Sequence, residues 1–198
     1  MTDRSIPPLG PEVPSRGSTV LRIAARALLA LLGWRVEGEI PNLPRCVVIV
    51  APHTSNWDFV IGLLALLALD LRVTWLGKHQ IFRRPFGPLF RRLGGVAVDR
   101  SAAGGVVGRA VAVLAPPHST FLAIAPEGTR RKVEDWKSGF WRIARAAGVP
   151  VVTVAFDYRT RAVVFVGEPY TPTADYAADL AALQRRFRAD MARNPRNY

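Results

Sequence analysis

A histidine and a carboxylate five residues apart, His53 and Asp58, stand in Ala51-Pro52-His53-Thr54-Ser55-Asn56-Trp57-Asp58, between an apolar run and a helical pattern. Inside a helix, side chains at that spacing diverge by roughly 140°. Pro52 disfavours helix at Ala51 and Ser55 is a good N-cap, so the helix is expected to start at Asn56. With His53 still in the loop and Asp58 in the first turn, the two side chains can fold back onto each other. An imidazole whose second nitrogen is held by a carboxylate has a fixed tautomer and becomes a better base. The competing reading is a capping box, Ser55-x-x-Asp58, with Asp58 serving only backbone N–H groups and His53 an ordinary loop histidine. These residues alone leave both open.

Two further polar clusters follow apolar runs. Gly94-Gly95-Val96-Ala97-Val98-Asp99-Arg100 ends in a guanidinium suited to bidentate contact with a phosphate, or in a plain surface ion pair. In Ala125-Pro126-Glu127-Gly128-Thr129-Arg130-Arg131, Pro126 and Gly128 make a tight turn, and Glu127 is a carboxylate that needs a partner if buried. With Arg130, Arg131 and Lys132 beside it, the loop suits an anionic, hydroxylated ligand; a solvated turn is the alternative. Trp136-Lys137-Ser138-Gly139-Phe140-Trp141 leads, basic and aromatic, into the next helix. Around Pro85, Arg83, Arg84, Arg91 and Arg92 alternate with Phe82, Phe86 and Phe90, an interfacial pattern, whereas His79 and His118 read as loop residues.

The elements that must position these clusters alternate. Strands are expected at Cys46–Ala51, Arg72–Leu76, Gly95–Val98, Thr120–Ala125 and Pro150–Phe156, the last paired as a hairpin with Arg161–Val166. Helices are expected at Thr19–Trp34, Asn56–Asp70, Pro85–Leu93, Gly105–Leu114, Gly139–Ala147 and Thr173–Arg193. Repeated βα units imply an α/β fold: one domain, a mostly parallel mixed sheet flanked by helices, preceded by an N-terminal amphipathic or apolar helix. In such sheets the C-terminal strand ends carry the site. His53, Arg100 and Glu127 each follow a strand, so they are expected to converge on one edge. The division expected is a flexible lead-in over 1–17, a membrane-proximal helix over 18–35 and the main domain over 36–198.

Composition narrows the class. Of 198 residues 49% are hydrophobic and 21% charged, which indicates a folded chain. Lys+Arg is 27 against Asp+Glu 15, a net charge of +12, and all the basic residues but Lys78, Lys132 and Lys137 are arginines. Such a surface attracts polyanions, and with no nucleic-acid motif in the chain an anionic membrane is the expected partner. A single cysteine, Cys46, in a presumed buried strand permits no internal disulfide and points to a reducing cytoplasm. No second metal ligand lies at suitable spacing near His53, so no metal is expected. No run reaches the ~18 apolar residues of a bilayer span. Trp34, at the end of the first helix, is a membrane-contact candidate, as are Phe82, Arg83, Arg84, Phe86, Arg91 and Arg92; a core-packing helix is the equal alternative.

Taken together the blocks resemble the glycerolphosphate/lysophospholipid acyltransferase family. His53–Asp58 matches its H-x4-D block, Gly95–Arg100 resembles its G-x-x-x-x-R block, Pro126–Arg130 its P-E-G-T-R block, and Gly148–Val152 its V-P-hydrophobic strand. Pro52, Ala125 and the Val98-Asp99-Arg100 ending depart from the commoner forms of these blocks. The resemblance implies a peripheral enzyme on the cytoplasmic face that moves a fatty acyl group from an acyl thioester to a hydroxyl of a lysophospholipid or glycerol-phosphate-like acceptor. It implies His53 as general base with Asp58 supporting it. Arg100, Glu127, Gly128, Thr129 and Arg130 would hold the acceptor's phosphate. No bound cofactor is implied, with acyl-CoA or an acyl carrier protein thioester as co-substrate. The rival readings are a histidine-dependent esterase, thioesterase or phosphatase, and a non-enzymatic basic lipid-binding protein.

Overall fold

The computed structural model describes residues 6–98, 105–133 and 135–198. At its centre Arg45–Ala51 forms a strand, β2, that serves two cores. Cys46 and Val48 face one and Val47, Ile49 and Ala51 the other, as the period of a strand requires. Burial on both faces is why this run is apolar throughout rather than alternating.

Around β2 the strand order is β1 (Arg35–Glu37), β7 (Ala162–Phe165), β6 (Val151–Asp157), β2, β5 (Thr120–Ile124), β3 (Val73–Lys78) and β4 (Gly95–Val98). Every pairing is parallel except the β6–β7 hairpin. Helices α1 (Thr19–Leu31) and α2 (Asn56–Ala68) pack in the core on one face, through Ala25, Leu29, Ile61 and Ala65. On the other lie α4 (Gly105–Leu114), α5 (Gly139–Ala147) and α6 (Tyr176–Gln184), through Ala110, Leu114, Phe140, Ile143 and Leu183. A 3-10 turn, His79–Phe82, leads to the short α3 (Gly87–Arg92). This is the α/β sheet with flanking helices that the βα alternation implies.

Three expectations are corrected. Residues 6–17 are a strap, not a flexible lead-in. Val13 is buried, Arg72 N–H donates to Pro14 O at 2.8 Å, and Arg16 N–H donates to Asp70 O at 2.8 Å. Extended, proline-rich chain suits such edge contacts because it leaves few backbone donors to satisfy. The Asp70 carboxylate accepts from Gly17 N and Ser18 N, both at 3.0 Å, and so caps α1, whose own N-cap Ser18 makes no side-chain bond. Second, the boundary at 35/36 falls within β1, three residues too few to give a periodic signal, which ties the region after α1 into the sheet. Third, the helix expected over Thr173–Arg193 ends at Gln184 and is followed by 3-10 turns at Ala189–Met191 and Pro195–Asn197. There Arg186 reaches across to the carbonyls of Val166 and Glu168 and Phe187 enters the core, so tertiary contacts override helix propensity.

Candidate active site

β5, β2 and β6 are adjacent and parallel, so the loops that follow them meet. Ile49 pairs with Ile124 and Ala51 with Ala155, which sets His53, Glu127 and Tyr158 within a few residues of one another at the same sheet edge. α2 starts at Asn56 as expected. Ser55 Oγ accepts from Trp57 N at 3.1 Å, and Asp58 Oδ2 accepts from Ser55 N at 2.7 Å, so the capping box exists. The same Oδ2 lies 3.5 Å from His53 Nδ1. Asp58 therefore caps the helix and also faces the imidazole, since one carboxylate oxygen has two lone pairs.

At 3.5 Å the His53–Asp58 contact is an ion-pair distance, longer than a good hydrogen bond. Nδ1 is nevertheless buried, and among the described residues it has no closer partner. The Nδ1–H tautomer facing Asp58 is thus the one its surroundings favour, which leaves the lone pair on Nε2, at the more open side of the ring. Burial lowers the His53 pKa from its ordinary value; Asp58 opposes this and Arg130 reinforces it. The imidazole is accordingly neutral at neutral pH, with its Nε2 lone pair free to accept a proton.

Glu127 is 4% exposed, and its two oxygens accept from His53 N at 3.1 and 3.0 Å. Burial pushes its carboxyl up to about 7, opposed by the His53 N–H bond and reinforced by Asp58. These contacts turn Glu127 towards the histidine backbone, where it fixes the loop. Gly128 takes a φ of 67°, and a Cβ there would meet the Lys137 side chain at 3.0 Å. Thr129 Oγ1 accepts from Arg131 N at 3.3 Å, and Thr129 and Arg130 are both exposed. Arg100 lies outside the described residues. Its strand β4 ends on the same edge, three positions from β2 in the order β2-β5-β3-β4, or about 14 Å by inter-strand spacing.

The family model for Acyltransferase matches residues 35–157, which include β2, His53, Asp58 and the Glu127 turn. The chain belongs to the Acyltransferase family. The chain is 28% identical over 141 residues to the 1-acyl-sn-glycerol-3-phosphate acyltransferase of Streptococcus pneumoniae (strain ATCC BAA-255 / R6), with 66% of this chain aligned to 52% of that protein. The chain thus spans about half the length of that curated relative. Its fold is similar to the crystal structure of the 1-acyl-sn-glycerophosphate (LPA) acyltransferase, PlsC, from Thermotoga maritima, with a TM-score of 0.62 and 20% identity over 84% of this chain and 76% of that one.

Two membrane-contact expectations are corrected. Trp34 is buried with its ring edge-on to Tyr158, centroids 4.9 Å apart. Phe82 is buried and stacked on Trp75 at 5.6 Å. An aromatic side chain near charged residues packs inward when a pocket of other aromatics receives it. Arg83, Arg84, Arg91 and Arg92 are exposed, as is Phe86, and Leu89 joins them. On α1, Val20, Ile23 and Leu31 are exposed. No helix among the described residues is long and apolar enough to cross a membrane.

Sequence reasoning did not find the residues that hold the His53–Asp58 loop from afar. Tyr158 OH donates to Asp58 Oδ1 at 2.6 Å. Asn194 N donates to Thr54 Oγ1 at 3.2 Å and its side-chain amide donates to Thr54 O at 3.1 Å, while Arg193 lies over the Trp57 ring. None has a local signal, since each acts across about a hundred residues or more of chain. From His53 and Asp58 a cavity of about 170 Å³ runs beneath α2 past Gly62 and Leu66 to Leu69, walled on the sheet side by residues such as Val48 and Val154. Its walls are almost wholly apolar.

Proposed function

We propose that this acyltransferase moves a fatty acyl group from an acyl thioester, carried by coenzyme A or acyl carrier protein, to a hydroxyl of a lysophosphatidic-acid-like acceptor. His53 Nε2 takes the hydroxyl proton as the oxygen attacks the thioester carbonyl carbon. Asp58 supports the imidazolium that forms. The tetrahedral intermediate then expels the thiolate as the C–S bond breaks, and the imidazolium returns the proton to sulfur. A base so placed contributes about 10²–10⁴-fold. No enzyme nucleophile is invoked: Cys46 is fully buried, and the Ser55 hydroxyl is occupied as a helix cap.

The observation that carries this reading is an imidazole–carboxylate pair at one end of an apolar cavity. Apolar walls suit an alkyl chain, and the polar pair sits where its carbonyl end would lie. Arg130, whose field reaches His53, and Arg100 suit the acceptor's phosphate. The names of the relatives support the same acceptor class.

The exposed apolar side chains of α1 and α3, with Arg83, Arg84, Arg91 and Arg92, support docking on an anionic leaflet, at the cytoplasmic face. The deciding experiment incubates the protein with labelled acyl-CoA or acyl-acyl carrier protein and a panel of lysophospholipids, and identifies products by mass. Acylated lipid that disappears in His53→Ala supports the reading; free fatty acid as the sole product would replace it with thioester hydrolysis.

A further inference from the structure

We infer that Tyr158 is a positioning residue for the His53–Asp58 pair, an inference that rests on the acyl transfer proposed above. Asp58 is 0% exposed, and among the described residues its carboxylate has three polar neighbours. Ser55 N donates to Oδ2 at 2.7 Å, His53 Nδ1 lies 3.5 Å from that same oxygen, and Tyr158 OH donates to Oδ1 at 2.6 Å. Oδ1 therefore depends on the phenol. A buried carboxylate oxygen without a donor carries a desolvation penalty, and the carboxylate relieves it by turning towards whatever donor is near. With Oδ1 satisfied, Asp58 has no reason to turn, and Oδ2 stays towards the imidazole.

Tyr158 is itself held from several directions. Its N–H donates to Met191 O at 2.9 Å, its ring meets the edge of Trp34, and it follows Asp157, whose carboxylate closes the hairpin turn by accepting from Arg159 N at 3.0 Å. Burial and the adjacent Asp58 push the phenol well above the ordinary tyrosine range, while Arg193 pulls the other way, so the hydroxyl remains a donor at any working pH. The residue reaches no reacting atom. It acts on the proton transfer through Asp58, as the outer partners of metal-ligating histidines orient those ligands.

Tyr158→Phe removes the hydroxyl and keeps the ring against Trp34, so thermal unfolding serves only as a check on folding. Acyl transfer should show kcat reduced by about 10–100-fold with both KM values unchanged. In an Asp58→Asn background the same substitution should cost little more, because the two residues act in series. A second readout needs no turnover. The chain holds 3 histidines, and the His53 resonance can be titrated by NMR in the whole protein. The charged groups bearing on His53 are Asp58, Arg130 and Glu127, and Tyr158→Phe alters the hold on Asp58 alone. The loosened carboxylate supports the imidazolium less, so the His53 midpoint should move to lower pH while His79 and His118 stay in place.

An unmoved His53 midpoint with wild-type kcat would overturn the inference and leave the His53 chemistry intact. An equal kcat loss in the Asp58→Asn background would overturn it too, since Tyr158 would then act elsewhere. Were the wild-type chain to form no acyl product at all, the acyl-transfer reading would fall, and the titration would still decide whether Tyr158 holds Asp58.

Discussion

Asp58 acts on both of its polar neighbours at the site, its charge raising the pKa of His53 and of Glu127. His53→Ala should abolish transfer, measured as labelled lipid formed per folded molecule. Asp58→Asn should lose far more activity than stability, since an amide oxygen can still accept the Ser55 N–H. Asp58→Ala should in addition cost about 1 kcal/mol in denaturant unfolding through the lost cap. Normal turnover in folded Asp58→Ala would reduce Asp58 to a cap.

The pH dependence has two opposed parts. Below the ordinary histidine range the unfolded chain binds a proton at His53 that the folded chain refuses, so this group weakens the fold as pH falls. Glu127 has the opposite sign. Between the ordinary 4.5 and about 7 the folded chain holds a proton that the unfolded one has released, so stability is lost as pH rises through about 7. Glu127→Gln should remove this second slope, a difference on the order of 3 kcal/mol at most between pH 5 and pH 8. Denaturant midpoints at those pH values check it; an unchanged slope would place the titration elsewhere. The acid limb of kcat/KM should lie below the ordinary histidine value, because the base must be neutral.

Elements far apart in sequence hold the loop between β2 and α2. β5 brings Glu127 beneath His53, the β6–β7 turn brings Tyr158 to Asp58, and the segment after α6 brings Asn194 to Thr54. Asn194→Ala leaves the buried Thr54 carbonyl without the amide that now serves it. It should reduce kcat several-fold by loosening the His53 loop, with a stability loss of about 1 kcal/mol. Stopped-time product assays and melting curves measured together check this, and a stability loss with full kcat would make the Asn194 contact purely structural. The end of α6 at Gln184 follows from the same demand, since a continued helix would not return the chain to Tyr158 and Thr54.

Over the whole molecule, a net charge of +12 combines with apolar side chains left exposed on α1 and α3. Neutralising Arg83, Arg84, Arg91 and Arg92 together should weaken binding to anionic vesicles by about 1 kcal/mol per charge at low salt, and less as salt screens the surface. Co-sedimentation at two ionic strengths measures it. If binding were unchanged, the exposed apolar residues of α1 would be the remaining contact to test, by Ile23→Asp and Leu31→Asp. Acceptor choice belongs to this scale as well, because a phosphate held by Arg130 would lie beyond the end of the sheet's central strands. Arg130→Ala should raise the acceptor KM for a lysophospholipid and leave that for its dephosphorylated analogue unchanged; equal effects on both would remove phosphate recognition from Arg130.

Local chemistry by itself determined most strands and helices of the βα alternation and the start of α2 at Asn56, and it left His53 and Asp58 able to meet. Each follows from a period, a cap or a proline acting over a few residues. Parallel order then made it predictable that His53 and Glu127 would share an edge. What only the tertiary structure decided is which partner each polar group takes. Glu127 turned to the His53 backbone because β5 lies directly beside β2, a register that no local pattern encodes. Trp34 and Phe82 turned inward because Tyr158 and Trp75, brought by other strands, offered them aromatic surface. Residues 6–17, composed like a free tail, became a strap because Asp70 and Arg72 supplied the partners their backbone lacked. Tyr158 reaches Asp58 across a hundred residues of chain, a contact set by the folded sheet and written in no spacing.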